Sequence, residues 1–332
     1  MSRGRFFAGV VLGVLVVAPF LPMGGVQQYV LHVVIQIFIW SFIGQAWSLM
    51  GRFGLVSLGH GAFLGVGAYT TTLLWNFYSL TPWIGALLAV AASVALAVVL
   101  GIPCFRFRVI GHYFALVTLA VGEVIRLLII AERDWTGGSL GASLKTAGTA
   151  SGLWTLQFAD KRVFYYASLA MFLAGLWVWD RVDRSMARSA LEAIGEDETA
   201  AASVGIHVTR FKLGITVISA ALTALGGVLY AQYISYVNPD TLSGIGVSLK
   251  IVFAVVLGGM YSLMGPLVGT ALTTALSEGL RIAFGLKFLG MADTIYGLLL
   301  IIFIIFLPSG IYGSIRDAIR RRSTASKTTA PA

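Results

Sequence analysis

Few residues in this chain can do chemistry, and the clearest pair is an acid and a base three positions apart, Glu123 and Arg126 in GHYFALVTLAVGEVIRLLII. That spacing puts both on one face of a helix, where each can neutralise the other. Their neighbours are apolar, and a charge at the centre of a membrane helix costs roughly 2.5–3.5 kcal/mol on insertion scales. Two readings follow: the pair faces a cavity or the bundle interior, or it is a structural ion pair near the outer boundary with Arg126 reaching toward water. Tyr113 and Thr118 add polar atoms to the same segment. A second group, Ser57 and His60, lies in GRFGLVSLGHGAFLGVGAYTTTLLW, residues 51–75. The pair suggests a proton relay or a nucleophile, but no GxSxG surrounds the serine and no second histidine stands at metal spacing, so no catalytic residue is expected. The glycines here permit either a broken helix beside a water-filled path or simple close packing of helices. Ser57, His60, Tyr113, Thr118, Glu123 and Arg126 are the candidates for lining or supporting a translocation path.

The elements that must position them follow from composition. The chain has 332 residues, 58% hydrophobic and 11% charged, with a mean hydropathy of +0.89. Soluble domains are nearer a quarter charged. Apolar windows recur near 6–22, 28–50, 55–76, 83–103, 112–131, 163–179, 211–234, 249–265, 267–284 and 292–307, each close to the ~20 residues that cross a ~30 Å hydrocarbon core. The expected fold is all-α: a polytopic transmembrane bundle of about ten spans, with eight spans plus re-entrant segments as the variant. Residues 1–310 form one transmembrane domain, and 311–332 a basic tail expected to be disordered. The polar stretches 132–162 and 180–212 are too short to build separate cores. A single cysteine, Cys104, excludes an intrachain disulfide and a cysteine-based zinc site.

The formal charge of +9 could point to nucleic acid, but in a membrane chain Lys and Arg gather on the cytoplasmic side. Alternating the spans from a cytoplasmic N-terminus places most of the basic residues inside, including Arg106, Arg108, Arg181, Arg184, Arg188, Arg210 and the arginines of the tail. N-in and C-in are therefore expected. The first span also reads as a secretory signal, but a retained helix is the expectation. SLMGPLVGTALTTA at 262–275 echoes SLGHGAFLGVGAYTTT at 57–72, a hint of internal repetition. The outer loop 132–152 is rich in turn formers and is either a docking surface or a flexible linker, with Trp135 as an interfacial anchor.

The longest charged connection on the inner side is RVDRSMARSALEAIGEDETAAASVGIHVTRFK, residues 181–212. It predicts two short helices: Ser185–Ile194 closing at Gly195, then Thr199–Val204 stopping at Gly205, with Glu196, Asp197 and Glu198 at the positive start of the second. Glu198-x-Ala200-Ala201-x-x-x-Gly205 resembles the EAA-type coupling loop of ABC importer permeases. Around it, GLVSLGHGAFLGVGAY (54–69), GHYFALVTLAVGEVIRL (111–127), TGGSLG (136–141) and VVLGGMYSLMGPLVGTAL (255–272) resemble branched-chain amino acid permeases of the LivM type, in the same order and at matching separations. The sequence departs from that type at Val56, where a glutamine is usual, and at Arg52, an added cation.

The resemblance implies the membrane-spanning subunit of an ATP-driven importer, a multi-pass protein of the bacterial inner membrane. It would move branched-chain amino acids or related small amino acids and amides by alternating access. Glu198, Ala200, Ala201 and Gly205 would couple it to the motor. No GxxxxGK[ST] occurs, so the chain is not expected to be an enzyme or to bind a cofactor. ATP–Mg would sit in two partner ATPases, beside a second homologous permease and a periplasmic binding protein. Membrane lipid is the other expected partner, and no nucleic acid. The alternative is a proton-coupled secondary transporter that works without an ATPase.

Overall fold

The computed structural model describes residues 13–20, 24–146, 148 and 152–284, with 294–295, 297–298, 302 and 310–311 beyond them. The tenth expected span and the tail fall almost entirely outside these residues, as does the start of the first span. The chain is built of helices: α1 (Gln27–Gly51), α2 (His60–Tyr78), α3 (Pro82–Arg106), α4 (Gly111–Ala131), α5 (Lys161–Asp183), α6 (Met186–Glu196), α7 (Glu198–Ser203), α8 (Val208–Ile234), α9 (Ile245–Gly258) and α10 (Gly265–Phe284). A helical turn, Pro239–Leu242, precedes α9. Among the described residues six segments are long and apolar enough to cross a membrane: α1, α3, α4, α5, α8 and the stretch Pro239–Gly258.

Helix α1 is the axis of the bundle. From Phe38 to Gly51 every residue is buried, and α5, α8, α9 and α10 pack around it. A helix enclosed on all sides needs no polar face, and its sequence has none. Inside lipid there is little hydrophobic drive between helices, so close approach and shape hold them together. Small residues supply that approach. A Cβ at Gly67 of α2 would overlap the Ala224 carbonyl of α8, and one at Gly227 of α8 would overlap the Leu64 carbonyl of α2. The two backbones touch there without side chains between them.

The third span begins later than its hydropathy predicts. Residues 52–59 form a loop and α2 then runs unbroken from His60, so close packing, not a helix break, is what the glycines serve. At Gly54 the backbone takes φ +81°, a conformation that costs glycine nothing. The eighth span likewise ends at Gly258, because Gly259 turns the chain at φ +109°.

At the end of the bundle remote from α6 and α7, the loop after α4 is folded onto the chain itself. Ala142–Ser143 (β1) pairs antiparallel with Tyr236–Val237 (β2), in register Ala142 to Val237. Trp75 Nε1 donates to the Lys145 carbonyl at 2.8 Å and Asn76 Nδ2 to the Ser143 carbonyl at 2.9 Å. The Thr136 hydroxyl bonds back into the last turn of α4. The flexible-linker reading of this loop is therefore corrected over Gly138–Lys145, since main-chain and indole hydrogen bonds fix it. Trp135 is half exposed against Phe77.

Candidate functional site: a two-helix unit and its ties to the bundle

Helices α6 and α7 form the two-helix unit expected in 181–212, with one boundary moved. Gly195 does not end the first helix; α6 continues to Glu196 and breaks at Asp197, whose backbone is extended. The reason is capping. The Asp197 carboxylate accepts from the amides of Thr199 at 2.8 Å and Ala200 at 3.1 Å, so the break falls where the second helix gains its N-cap. A bond from the Thr199 hydroxyl, with these two amide bonds, holds the Asp197 carboxyl below the usual carboxylate range. Gly205 closes the unit at φ +90°.

Helix α6 buries Ala190, Leu191 and Ile194 and turns its charges outward. Arg188 bridges Asp183 at 2.9 Å and Glu192 at 2.8 Å, tying α6 to the end of α5. Asp183 also takes Arg52 at 3.0 Å. Arg52, the added cation, is buried over the Trp179 ring at 3.9 Å, and two of its nitrogens have no hydrogen-bond acceptor. Burial draws its pKa down, and Asp183 opposes that shift. This arginine joins the loop after α1 to the root of α6.

Helix α7 is clamped differently. Glu198 forms an ion pair with Lys212 of α8, their side chains 18% and 6% exposed, and the Lys212 amino group lies 5.9 Å from the Phe105 ring of α3. Ala201 is 3% exposed and faces the body of the chain, whereas Ala200 and Gly205 are exposed. The four expected coupling residues therefore lie on one short unit but present different faces. The Glu198–Lys212 pair thus ties α7 to α8, which packs on α1, α2 and α3. Two clefts flank the unit, of about 570 Å³ and 520 Å³.

The path candidates do not line one surface. Ser57, His60 and Thr118 are buried, Tyr113 is exposed, and Glu123 and Arg126 are partly covered. Ser57 and His60 do not pair. The Ser57 hydroxyl accepts from the Gly59 amide at 3.3 Å, while His60 Nε2 meets Ser219 Oγ at 2.9 Å. The Ser219 hydroxyl lies 2.6 Å from the Ala46 carbonyl, which can only accept. Its proton is thus committed there, and His60 Nε2–H must be the donor to Ser219. No activated nucleophile results. The Thr118 hydroxyl accepts from the Leu58 amide at 3.0 Å and donates to the Ala115 carbonyl at 2.9 Å, sealing the loop before α2 onto α4.

Glu123 and Arg126 do form the expected pair, at 2.5–3.1 Å. Arg126 also reaches Asp240 at 2.7 Å, joining α4 to the turn before α9. Sequence reasoning missed Asp240, Ser219 and the Arg52–Asp183 pair, whose partners are more than 100 positions apart, and Lys212, which is 14 positions from Glu198 and beyond helical spacing. Asn238-Pro239-Asp240 carried the one local signal, a helix start. Among the described residues no cluster of His, Cys, Asp or Glu can hold a metal ion.

A bundle of membrane-length helices with a small two-helix unit at one end is the architecture of a multi-pass membrane protein. Residues 29–306 match the family model described as branched-chain amino acid transport system / permease component, and the chain belongs to that family. It is 31% identical over 299 residues to the high-affinity branched-chain amino acid transport system permease protein LivM of Salmonella typhimurium, covering 84% of this chain and 68% of the relative. The LivM of Escherichia coli K12 matches to the same extent. The LivH permease of Escherichia coli K12 is 24% identical over 283 residues, 79% of this chain and 87% of the relative. No solved structure matches the chain.

Proposed function

We propose that this chain is the membrane subunit of an ATP-driven importer in a bacterial inner membrane, bringing branched-chain or related small amino acids or amides into the cytoplasm. The observation that carries the reading is the clamped α7: a capped, two-turn helix whose outer face is open and whose inner face is tied to α8 by Glu198 and Lys212. In this reading α6 and α7 face the cytoplasm, both termini are inside, and ten spans complete the bundle. Two ATPase chains bind ATP–Mg and grip the coupling loops of the two permeases, here through the face of α7 bearing Ala200. Their closure moves α8 and shifts the bundle between outward-open and inward-open states. A second permease, related as LivH is to LivM, completes the membrane unit, and a periplasmic binding protein delivers the solute. The buried Ser57, His60 and Thr118 then belong to the seal that rearranges, and Glu123–Arg126–Asp240 to a tie between elements at the outer end.

The test is ATPase activity and uptake by the complex, assembled from this chain and the products of its neighbouring genes in lipid nanodiscs and vesicles. The solutes are leucine, valine, urea and an aromatic amino acid. Hydrolysis stimulated only when binding protein and one solute are both present supports the importer and names the solute. Uptake by the chain alone down a proton gradient, with no ATP requirement, would replace it with the secondary-transporter reading.

A further inference from the structure

Three arginines converge on the 570 Å³ cleft beside α7: Arg106 and Arg108 at the end of α3, and Arg210 in the first turn of α8. All three are exposed. Among the described residues none forms an ion pair, while the one acid lining the cleft, Glu198, is already neutralised by Lys212. The cleft thus holds three uncompensated guanidinium charges. Such a concentration of like charge is unfavourable unless an anion shares the space.

The depth of the cleft identifies the anion. Helix α3 has 25 residues and rises ~37 Å at 1.5 Å per residue, which spans a ~30 Å core and leaves its last turn at the headgroup level. Arg106 ends a stripe of exposed apolar residues spaced alternately by four and three: Leu88, Ala92, Ala95, Val99 and Ile102. Residues at that spacing share one face of a helix. A continuous greasy track therefore leads along α3 to a triple arginine. Guanidinium groups match the oxygens of a phosphate geometrically, and basic pockets between helices at a membrane surface take lipid headgroups.

We propose that this cleft binds the phosphodiester headgroup of an anionic phospholipid, with the acyl chains lying along the exposed face of α3. Because the cleft shares Glu198 and Gly205 with the α7 unit, the lipid is a structural neighbour of the coupling element. The proposal depends neither on the solute nor on ATP coupling.

The experiment is native mass spectrometry of the full chain, purified in mild detergent after equilibration with phosphatidylglycerol or with phosphatidylcholine of the same acyl chains. Wild type should retain phosphatidylglycerol in preference to phosphatidylcholine. Arg106→Gln and Arg210→Gln should each weaken retention about fivefold, from the contribution of one basic residue near an anionic surface. Arg106→Lys, which keeps the charge, should restore most of it, and Arg133→Gln at the opposite end of the bundle should change nothing. Equal retention of the two lipids, or unchanged retention in R106Q/R210Q, overturns the proposal. Displacement by millimolar inorganic phosphate overturns it in favour of a soluble anion. Loss of ATPase co-purification in the glutamine variants, with lipid retention intact, overturns it in favour of an acidic protein surface. Where a glutamine variant fails to purify, Arg108→Gln takes its place, with the same roughly fivefold loss expected and unchanged retention overturning the proposal.

Discussion

Replacing Glu198 with glutamine strands the Lys212 ammonium at a position where its side chain is 6% exposed, while the carboxylate it loses was 18% exposed. Removing one partner of a fully buried pair costs about 3–5 kcal/mol. Water still reaches the glutamate side, so about 2–3 kcal/mol is expected for Glu198→Gln once that screening is allowed for. The reverse change, Lys212→Met, leaves the more accessible of the two charges unpaired and should cost less, about 1–2 kcal/mol. In E198Q/K212M neither charge is stranded, and most of the loss should return. A double-mutant cycle on thermal unfolding of the purified chain measures this, with an expected coupling of about 3 kcal/mol and a fall of roughly 5 °C for E198Q alone. Uptake per ATP hydrolysed by the assembled complex is the second readout. The double variant should regain stability without regaining coupling, because the polar link from α7 to α8 is gone. Additive single effects would refute the argument that the pair is buried, and full coupling in the double variant would refute the route through it.

Three further outcomes are expected. Gly59→Ala forces a Cβ into the Thr118 carbonyl and should destabilise by about 1–3 kcal/mol as α2 and α4 move apart, read as a lower melting temperature, whereas Gly54→Asn, at φ +81° with nothing within 4 Å, should be mild. Ala200→Trp on the exposed face should abolish ATPase docking in a pull-down and leave the chain folded, while Ala201→Trp on the buried face should lower stability before docking can be tested. The Asp197 cap should persist through mild acid. A carboxyl whose folded pKa is depressed stabilises fully above its unfolded value, 3.8, and loses that contribution as pH falls through the lower folded value. Exchange protection of the Thr199 and Ala200 amides should therefore be flat from pH 7 to about 4.5, and fraying that begins near pH 6 would contradict it.

Local signals in the sequence were legible and remote partnerships were not. Gly205 and the acidic run before Thr199 located α7 because capping depends on neighbouring residues, yet the same local view put a stop at Gly195. The break lies at Asp197 because a cap that satisfies two amides outweighs the propensity of one glycine. The ten-span hydropathy pattern found α1, α3, α4, α5 and α8 within a few residues. It began the third span five residues early, because composition cannot register that Gly59 is held against Thr118. Glu123 and Arg126 were paired from spacing alone, but their third member, Asp240, comes from 114 positions away. Ser57 and His60 looked like partners on a helix map. The loop ends at Gly59, so Ser57 lies outside the helix and His60 turns to Ser219 of α8.

The β1–β2 pairing also sets an order on biosynthesis. Ala142 cannot find Val237 until α5, α6, α7 and α8 have all left the ribosome, and at 5–20 residues per second that is a delay of roughly 5–20 s. During this interval the loop after α4 has no strand partner and its glycine-rich backbone is open to proteases and chaperones. Arg126 waits over the same interval for Asp240, three residues beyond Val237. The closing of this end of the bundle is thus a late step in synthesis, and a product that stops before residue 237 lacks the strand partner for this loop.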